Sequence, residues 1–265
     1  MQTKAFLSAA TVALRNLVLG GNLASLPLIR RPRAAVAYAS ESLFALRGFR
    51  PPRDVVPRHV AEAFGASGPV SVTVLEPYMG AWAPPMPSYT VDLVSLATLC
   101  RLLEPRTIFE IGTSIGHTAA HLALNAPADA KVYTLDLPND VEPKLETTVV
   151  DAQHARASRT IERFVFQGTE AEPKIERLHG DSAVFDFSPW HGRVDLFFID
   201  GAHSYAYVAS DTRAALACVR PGGVIAWHDY GRAGVNGVTR LLRELAREGR
   251  QVFAVPGGSL AYMLV

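Results

Sequence analysis

From Thr107 to Val265 the chain alternates short apolar runs with stretches of helical spacing, and this alternation constrains the fold more than any other feature. Strand candidates at 107–111, 131–135, 175–179, 194–199 and 223–227 are interleaved with helix candidates at 116–125, 146–164, 204–219 and 235–248. Right-handed crossovers of this kind lay helices on both faces of a parallel sheet. Val194-Asp195-Leu196-Phe197-Phe198-Ile199 is nearly continuous in apolar residues, as burial on both faces requires. At the C-terminus the pattern changes, because the runs 251–255 and 260–265 are separated only by Pro256-Gly257-Gly258-Ser259. No crossover helix fits there, so these two strands must pair antiparallel. The expectation is an α/β, doubly wound sheet, mostly parallel, closed by an antiparallel hairpin. Upstream, Leu93, Leu96, Leu99, Cys100 and Leu103 predict a helix over 91–103 that leads into the first strand.

Within this frame Phe109-Glu110-Ile111-Gly112-Thr113-Ser114-Ile115-Gly116-His117-Thr118 reads as a buried strand passing through a glycine turn into a helix. Such a turn presents backbone N–H groups to a nucleotide-like ligand. Asp136 lies 20 residues beyond Gly116 at the end of the next strand, where a ribose-binding carboxylate belongs. Together they point to an adenosine-containing cofactor. Ser114 replaces the middle glycine of the usual pattern, so a ligand-free connection is the competing reading of the turn. A capping role competes for Asp136.

At 265 residues and 49% hydrophobic content, the chain can bury one large core with an appended N-terminal piece. The division expected is an N-terminal helical, lid or dimerisation segment at 1–68 and a main domain at 69–265. A net charge of +1 gives no global electrostatic reason to expect nucleic acid. Residues 30–58 hold seven arginines against Glu41 and Asp54, but prolines at 32, 51, 52 and 57 interrupt them, which favours a solvated or packing role. Cys100 and Cys218 fall in apolar helical patterns without C-x-x-C spacing; buried thiols and a cytoplasmic setting are expected. Ala5 to Leu14 is apolar between Lys4 and Arg15, short of the roughly 18 apolar residues that span a bilayer and without a convincing leader cleavage site. Residues 5–18 read as a helix that packs on the domain, covers the active site or joins a second subunit in a homodimer.

Two further segments sit where strands end, on the edge where open α/β folds bind ligands: Ile199-Asp200-Gly201-Ala202-His203-Ser204-Tyr205 and Pro221-Gly222-Gly223-Val224-Ile225-Ala226-Trp227-His228-Asp229-Tyr230. With the glycine turn and the closing hairpin, they make residues 88–265 resemble the class I S-adenosylmethionine-dependent methyltransferases, most closely the small-molecule O-methyltransferases of the macrocin and catechol types. The resemblance implies a Rossmann-like, seven-stranded sheet with N-terminal helices, and S-adenosyl-L-methionine as cofactor. It implies that Glu110, Gly112, Ser114, Gly116 and Thr118 line the methionine and ribose side of that cofactor, with Asp136 on the ribose hydroxyls. Gly180-Asp181-Ser182 resembles the loop beside the adenine. A helix cap is the alternative for Asp181.

In metal-dependent relatives a carboxylate after the fourth strand and two adjacent oxygen-bearing residues after the fifth bind a divalent cation. Asp200 and Asp229 match, while His228 stands where those relatives usually have a carboxylate, so the implied metal set is Asp200, His228 and Asp229. Imidazole suits Mg²⁺ less than Mn²⁺, Zn²⁺ or Fe²⁺, and a metal-free site stays open. His203 matches the general base of catechol-type relatives, and an unperturbed pKa of roughly 6.5 suits the task; Asp200 is the second catalytic candidate. A helix-start role is the alternative for His203, and base or packing roles for His228. The acceptor implied is a hydroxylated small molecule such as a sugar, polyketide or phenolic metabolite. His117 and His121 lie four apart without an H-E-x-x-H pattern, which rules against a zincin. A nicotinamide-dependent oxidoreductase or a hydroxylase-like relative shares the glycine turn and Asp136, and a non-catalytic binding protein would keep the fold. The closing hairpin and the His-Asp-Tyr segment argue against the oxidoreductase.

Overall fold

The buried strands Thr107–Ile111 (β2) and Val194–Ile199 (β5) lie side by side and parallel at the centre of the molecule. In this computed structural model, which describes residues 54–75, 87–149, 151–152, 161–232 and 235–265, the chain runs outward from β2 to Lys131–Asp136 (β3) and Ile175–His179 (β4). It then returns to the centre at β5 and runs the other way through Val219–Trp227 (β6). The last strands, Phe253–Ala254 (β7) and Ala261–Leu264 (β8), pair antiparallel with each other, and β8 also pairs antiparallel with β6. With Val56–Pro57 (β1) parallel to β7, the order across the sheet is β1-β7-β8-β6-β5-β2-β3-β4. The reversal of winding falls between β2 and β5, and such a switch point opens a crevice at the carboxyl ends of the strands.

The doubly wound sheet with its closing hairpin is therefore as the sequence pattern requires. The strand count is eight rather than seven. The extra strand is only two residues long, and Pro57 stands at the sheet edge, where a missing N–H donor is tolerated. So short a run carries no periodicity to read. Residues 56–57 fall within the 1–68 segment of the sequence, yet they extend the same sheet as the rest of the chain.

Successive side chains alternate between two cores. Phe109, Ile111, Phe197, Ile199 and Trp227 face one side, under Tyr205–Cys218 (α4) and Asn236–Arg247 (α5). Ile108, Leu196, Phe198 and Ala226 face the other, under Val60–Ala63 (α1), Pro87–Leu103 (α2) and His117–Asn125 (α3). In α5 the buried residues Val238, Leu241, Leu242 and Leu245 recur at three and four, giving one apolar stripe. Ser204 caps α4, its hydroxyl accepting from the Tyr207 amide at 3.3 Å. Cys100 and Cys218 are both fully buried free thiols. At the amino ends of the strands Asp195 holds β2 in register: its Oδ2 accepts from the Arg106 and Thr107 amides, both at 2.8 Å.

The helix expected over 146–164 is shorter in the described residues. Residues 161–164 are not helical. The Val165 amide donates to the Ile115 carbonyl at 2.9 Å and the Phe164 amide to Gln167 Oε1 at 2.8 Å, so this segment is committed to turns that back the glycine loop. Residues 76–86 and residues 1–53, with the helix expected over 5–18, lie outside the described residues. Among the described residues no helix is long and apolar enough to cross a membrane.

Candidate active site

Every functional residue expected from the sequence stands at or just past a strand's carboxyl end. The ladder continues beyond the strands: the Gly112 amide donates to Leu135 O (2.8 Å), Asp200 to Ile111 O (2.9 Å) and His228 to Ile199 O (3.1 Å). These bonds bring the Gly112 turn, the Asp200 loop and the His228-Asp229 pair to one edge. Gly112 has φ 103°, and a Cβ there would stand 2.1 Å from the Asp200 carbonyl oxygen. Only glycine lets the two loops pass this closely. Ser114 and Asp229 also hold positive φ, at 47° and 62°. Such backbone costs on the order of 1–3 kcal/mol at a non-glycine residue and concentrates at functional sites.

On the glycine-turn side, Asp136 Oδ2 accepts from the Ser114 amide and Oδ1 from the Leu137 amide, each at 3.0 Å. One protein donor per oxygen leaves a lone pair on each for a pair of vicinal hydroxyls, so the carboxylate fits a ribose. Glu110 is fully buried on β2. Its Oε2 accepts from Thr134 Oγ1 at 2.5 Å, and Thr134 is in turn 2.7 Å from Thr113 Oγ1, while Oε1 has no hydrogen-bond partner. Burial pushes the Glu110 carboxyl up to about 8, against the Thr134 bond. Gly116 caps α3 in the left-handed region, φ 75°, with Thr118 in that helix's first turn.

Asp181, 5% exposed, spends its oxygens within the protein: Oδ2 accepts from the Lys144 amide at 2.6 Å and the Tyr207 hydroxyl at 2.8 Å, and Oδ1 from the Ala183 amide at 2.8 Å. It anchors the 140s loop over α4. Ser182 follows it, near the buried carboxyl of Asp211, which burial raises to about 7.

The second half of the site is a cluster of charges. His203 is turned to two carboxylates, with Nδ1 2.6 Å from Asp151 Oδ1 and Nε2 2.8 Å from Asp229 Oδ2. His228 is likewise flanked, with Nδ1 3.2 Å from Asp200 Oδ1 and 3.3 Å from Asp229 Oδ1, and Nε2 3.3 Å from Asp92 Oδ2. Arg232 Nε reaches Asp229 Oδ1 at 2.8 Å. Asp200 is the most open member, its side chain 26% exposed against 10% for Asp229, so it faces the cleft. Burial pulls the His203 imidazole down, but its bonds to Asp151 and Asp229 prevail and carry it to about 10. His228 is driven well above the usual histidine range by Asp200 and Asp229 despite burial, and the two imidazoles hold Asp229 well below the usual carboxylate range despite its own burial. As arranged, both rings carry a second proton at neutral pH.

Charge bookkeeping then tests a metal. Asp92, Asp151, Asp200 and Asp229 bring four negative charges, and Arg232 with two imidazolium rings brings three positive ones. A divalent cation with two neutral imidazoles gives the same balance. Ligating atoms of Asp200, His203 and Asp229 all lie within 4.8 Å of one another, and His228 Nδ1 sits against both aspartates, so the donor set fits a divalent ion.

Asp92, Asp151, Arg232, Ser259 and the Tyr89 ring, which stacks on His228 at 5.4 Å and 17°, were not singled out as site residues from the sequence. One had a signal. Thr148 and Asp151 cap each other, Thr148 N to Asp151 Oδ2 at 2.6 Å and Asp151 N to Thr148 Oγ1 at 3.1 Å, and the T-x-x-D spacing is readable as a capping box.

Residues 109–230 match a family model described as a methyltransferase domain. The match runs from β2 through the residue after Asp229. No curated protein matches the chain. Solved structures similar to it include the O-methyltransferase TomG from Streptomyces achromogenes in complex with S-adenosylmethionine, at 22% identity, 74% of this chain, 92% of that one and a TM-score of 0.45. Another is an O-methyltransferase from Bacillus cereus with S-adenosylhomocysteine, at 18% identity, 86% and 100% coverage and a TM-score of 0.45. A third is a methyltransferase from Geobacter sulfurreducens, at 16% identity, 78% and 96% coverage and a TM-score of 0.48.

Proposed function

We propose that this protein transfers the methyl group of S-adenosylmethionine to a hydroxyl oxygen of a small molecule, a sugar, polyketide or phenolic metabolite. The observation that carries the reading is the Asp200 amide bonded to Ile111 O, which sets a proton-handling cluster one residue from the glycine turn. A methyl donor held by Glu110, the turn at Gly112–Gly116, Thr118 and Asp136, with the adenine beside Asp181 and Ser182, would lie within reach of an acceptor at Asp200. Methyl transfer needs the acceptor oxygen in line with the sulfonium carbon, and most of the barrier reduction comes from that alignment.

Asp200 orients the acceptor hydroxyl from the open side of the cluster. His203 handles its proton: Asp151 fixes Nδ1 and leaves Nε2 as the exchanging atom on the side of Asp200 and Asp229. Asp200, His228 and Asp229 would hold a divalent cation. Bound there, it would supply Lewis acidity that lowers the pKa of the acceptor hydroxyl.

The test is titration of the purified protein with S-adenosylhomocysteine and, separately, NADH, followed by mass spectrometry of hydroxylated acceptors for a methyl gain. Saturable S-adenosylhomocysteine binding, with turnover lost in Asp200→Ala, is expected. Binding of NADH instead, or full turnover in the Asp200→Ala, Asp229→Ala double variant, would overturn the reading.

A further inference from the structure

Between Asp136 on the ribose side and Asp151 at His203 the chain makes a long excursion. Asn139, Asp140, Val141, Glu142, Lys144 and Glu146 are all exposed. Among the described residues, the hydrogen bonds that join 138–147 to the rest of the domain are made by two amides, those of Lys144 and Leu145. Backbone donors outside helix and strand must find side-chain or water acceptors. Both of these reach the Tyr207 hydroxyl, at 3.1 and 3.4 Å, and the Lys144 amide also reaches Asp181 Oδ2 at 2.6 Å. The Tyr207 hydroxyl gives its own proton to the same Asp181 oxygen at 2.8 Å. Tyr207 is 4% exposed and Asp181 5%, so the pair grips an exposed loop from a buried position.

A second grip lies seven residues further on. Asp151, capped by Thr148, accepts at Oδ1 from the His203 amide at 3.0 Å and faces His203 Nδ1 with the same oxygen at 2.6 Å. His203 and Tyr207 are four apart, one on each side of the Ser204 cap that starts α4. One helix start therefore holds the segment twice, by the Tyr207 hydroxyl at Lys144 and Leu145 and by the His203 backbone and ring at Asp151. A segment with few bonds of its own takes its position from such grips and opens when one is lost. Its far end carries the carboxylate that orients His203, where a misplacement of about 1 Å costs on the order of 100-fold in rate.

We propose that Tyr207 and Asp181 form a latch that sets Asp151 against His203, which makes Tyr207 a positioning residue for methyl transfer. Its catalytic consequence rests on the reading that His203 handles the acceptor's proton. Tyr207 acts through Lys144, Leu145 and Asp151, and not on the acceptor. Asp181, placed beside the adenine by resemblance, here also holds the loop that runs from the ribose side of the cleft to the acceptor side.

The test pairs amide hydrogen exchange with kinetics on the full chain. The His203 amide is the reporter, because its acceptor is Asp151 Oδ1 and an amide whose acceptor moves away exchanges faster. Tyr207→Phe deletes the hydroxyl from the latch. Lys144→Pro deletes the N–H from the loop side, at an exposed residue, and decides the matter alone where Tyr207→Phe does not fold. Each should speed exchange at His203 by about 10-fold or more, toward the level set by Asp151→Ala. With an acceptor identified by its methyl gain, kcat should fall about 10–100-fold in each variant while the KM for the methyl donor holds. The double variant Tyr207→Phe, Asp151→Ala should turn over no more slowly than Asp151→Ala alone, since both changes act through one contact. Unchanged exchange at His203 in folded Tyr207→Phe or Lys144→Pro, or kcat losses that multiply in the double variant, overturns the proposal and leaves methyl transfer standing. A natural chain that binds no S-adenosylhomocysteine and methylates nothing removes the methyl-transfer reading, and exchange at His203 still decides the latch.

Discussion

Replacing Glu110 by glutamine isolates one buried charge. The carboxyl sits on the central strand with no exposure, and burial raises it from 4.5 to about 8. Between those two values the folded state holds a proton that the unfolded state has released. The group's stabilising contribution is thus complete below its unfolded pKa and is lost as pH rises through the folded one. Integrated from pH 6 to pH 9, the loss is about 2–3 kcal/mol at 25 °C. For a domain of this size each kcal/mol moves Tm by about 2–4 °C, so the natural chain should lose roughly 5–10 °C across that interval through Glu110 alone.

Glu110→Gln keeps an acceptor for Thr134 and cannot ionise. Its amide brings donors to a place where Oε1 found no partner, which costs about 1–3 kcal/mol at every pH. Its Tm therefore starts lower, but the slope against pH is what reports the charge. Thermal melts of both proteins in matched ionic strength at pH 6, 7, 8 and 9 give that slope, and all other titrating groups cancel in the difference. The variant's curve should flatten by the stated amount, with the two curves converging or crossing near pH 8–9. Parallel curves across the whole range would falsify the assignment of a buried, proton-holding carboxyl.

Three other perturbations test separate parts of the site. Asp136→Ala removes the acceptor proposed for the ribose hydroxyls and should weaken S-adenosylhomocysteine about 10–100-fold in a fluorescence titration, the worth of charge-assisted hydrogen bonds; an unaltered Kd refutes that role. Asp151→Ala frees His203 Nδ1 and should lower kcat by about 10–100-fold while the KM for the methyl donor stays put, and a change confined to KM would reassign Asp151 to binding. Gly112→Ala forces a Cβ into the Asp200 carbonyl at a positive φ, and thermal melting should show a loss of several kcal/mol, on the order expected for overpacking plus backbone strain.

What could be read from the chain, and what could not, divides along a physical line. Strand ends are local: a run such as Val194–Ile199 declares its own limit, and Asp200 is placed on the carboxyl edge by nothing more than following it. The same holds for Asp136 after β3 and for His228-Asp229 after β6, so these residues could be gathered at one edge from alternation alone. The partners that give them their chemistry are not local. Asp92 comes to His228 from a helix 136 positions earlier in the chain, and only because Ser259 and Leu260, at the far end of the sequence, bond its carboxylate. Within α2 an aspartate one position before the buried Leu93 reads as an ordinary polar residue. His203 shows what this omission costs. With an unperturbed pKa it is a ready base, but between Asp151 and Asp229 it holds its proton to about 10, and it accepts one only when the charge on its carboxylate neighbours is offset. The place of His203 after a strand was thus legible in the sequence, whereas its protonation state is set by tertiary neighbours that no spacing rule brings together.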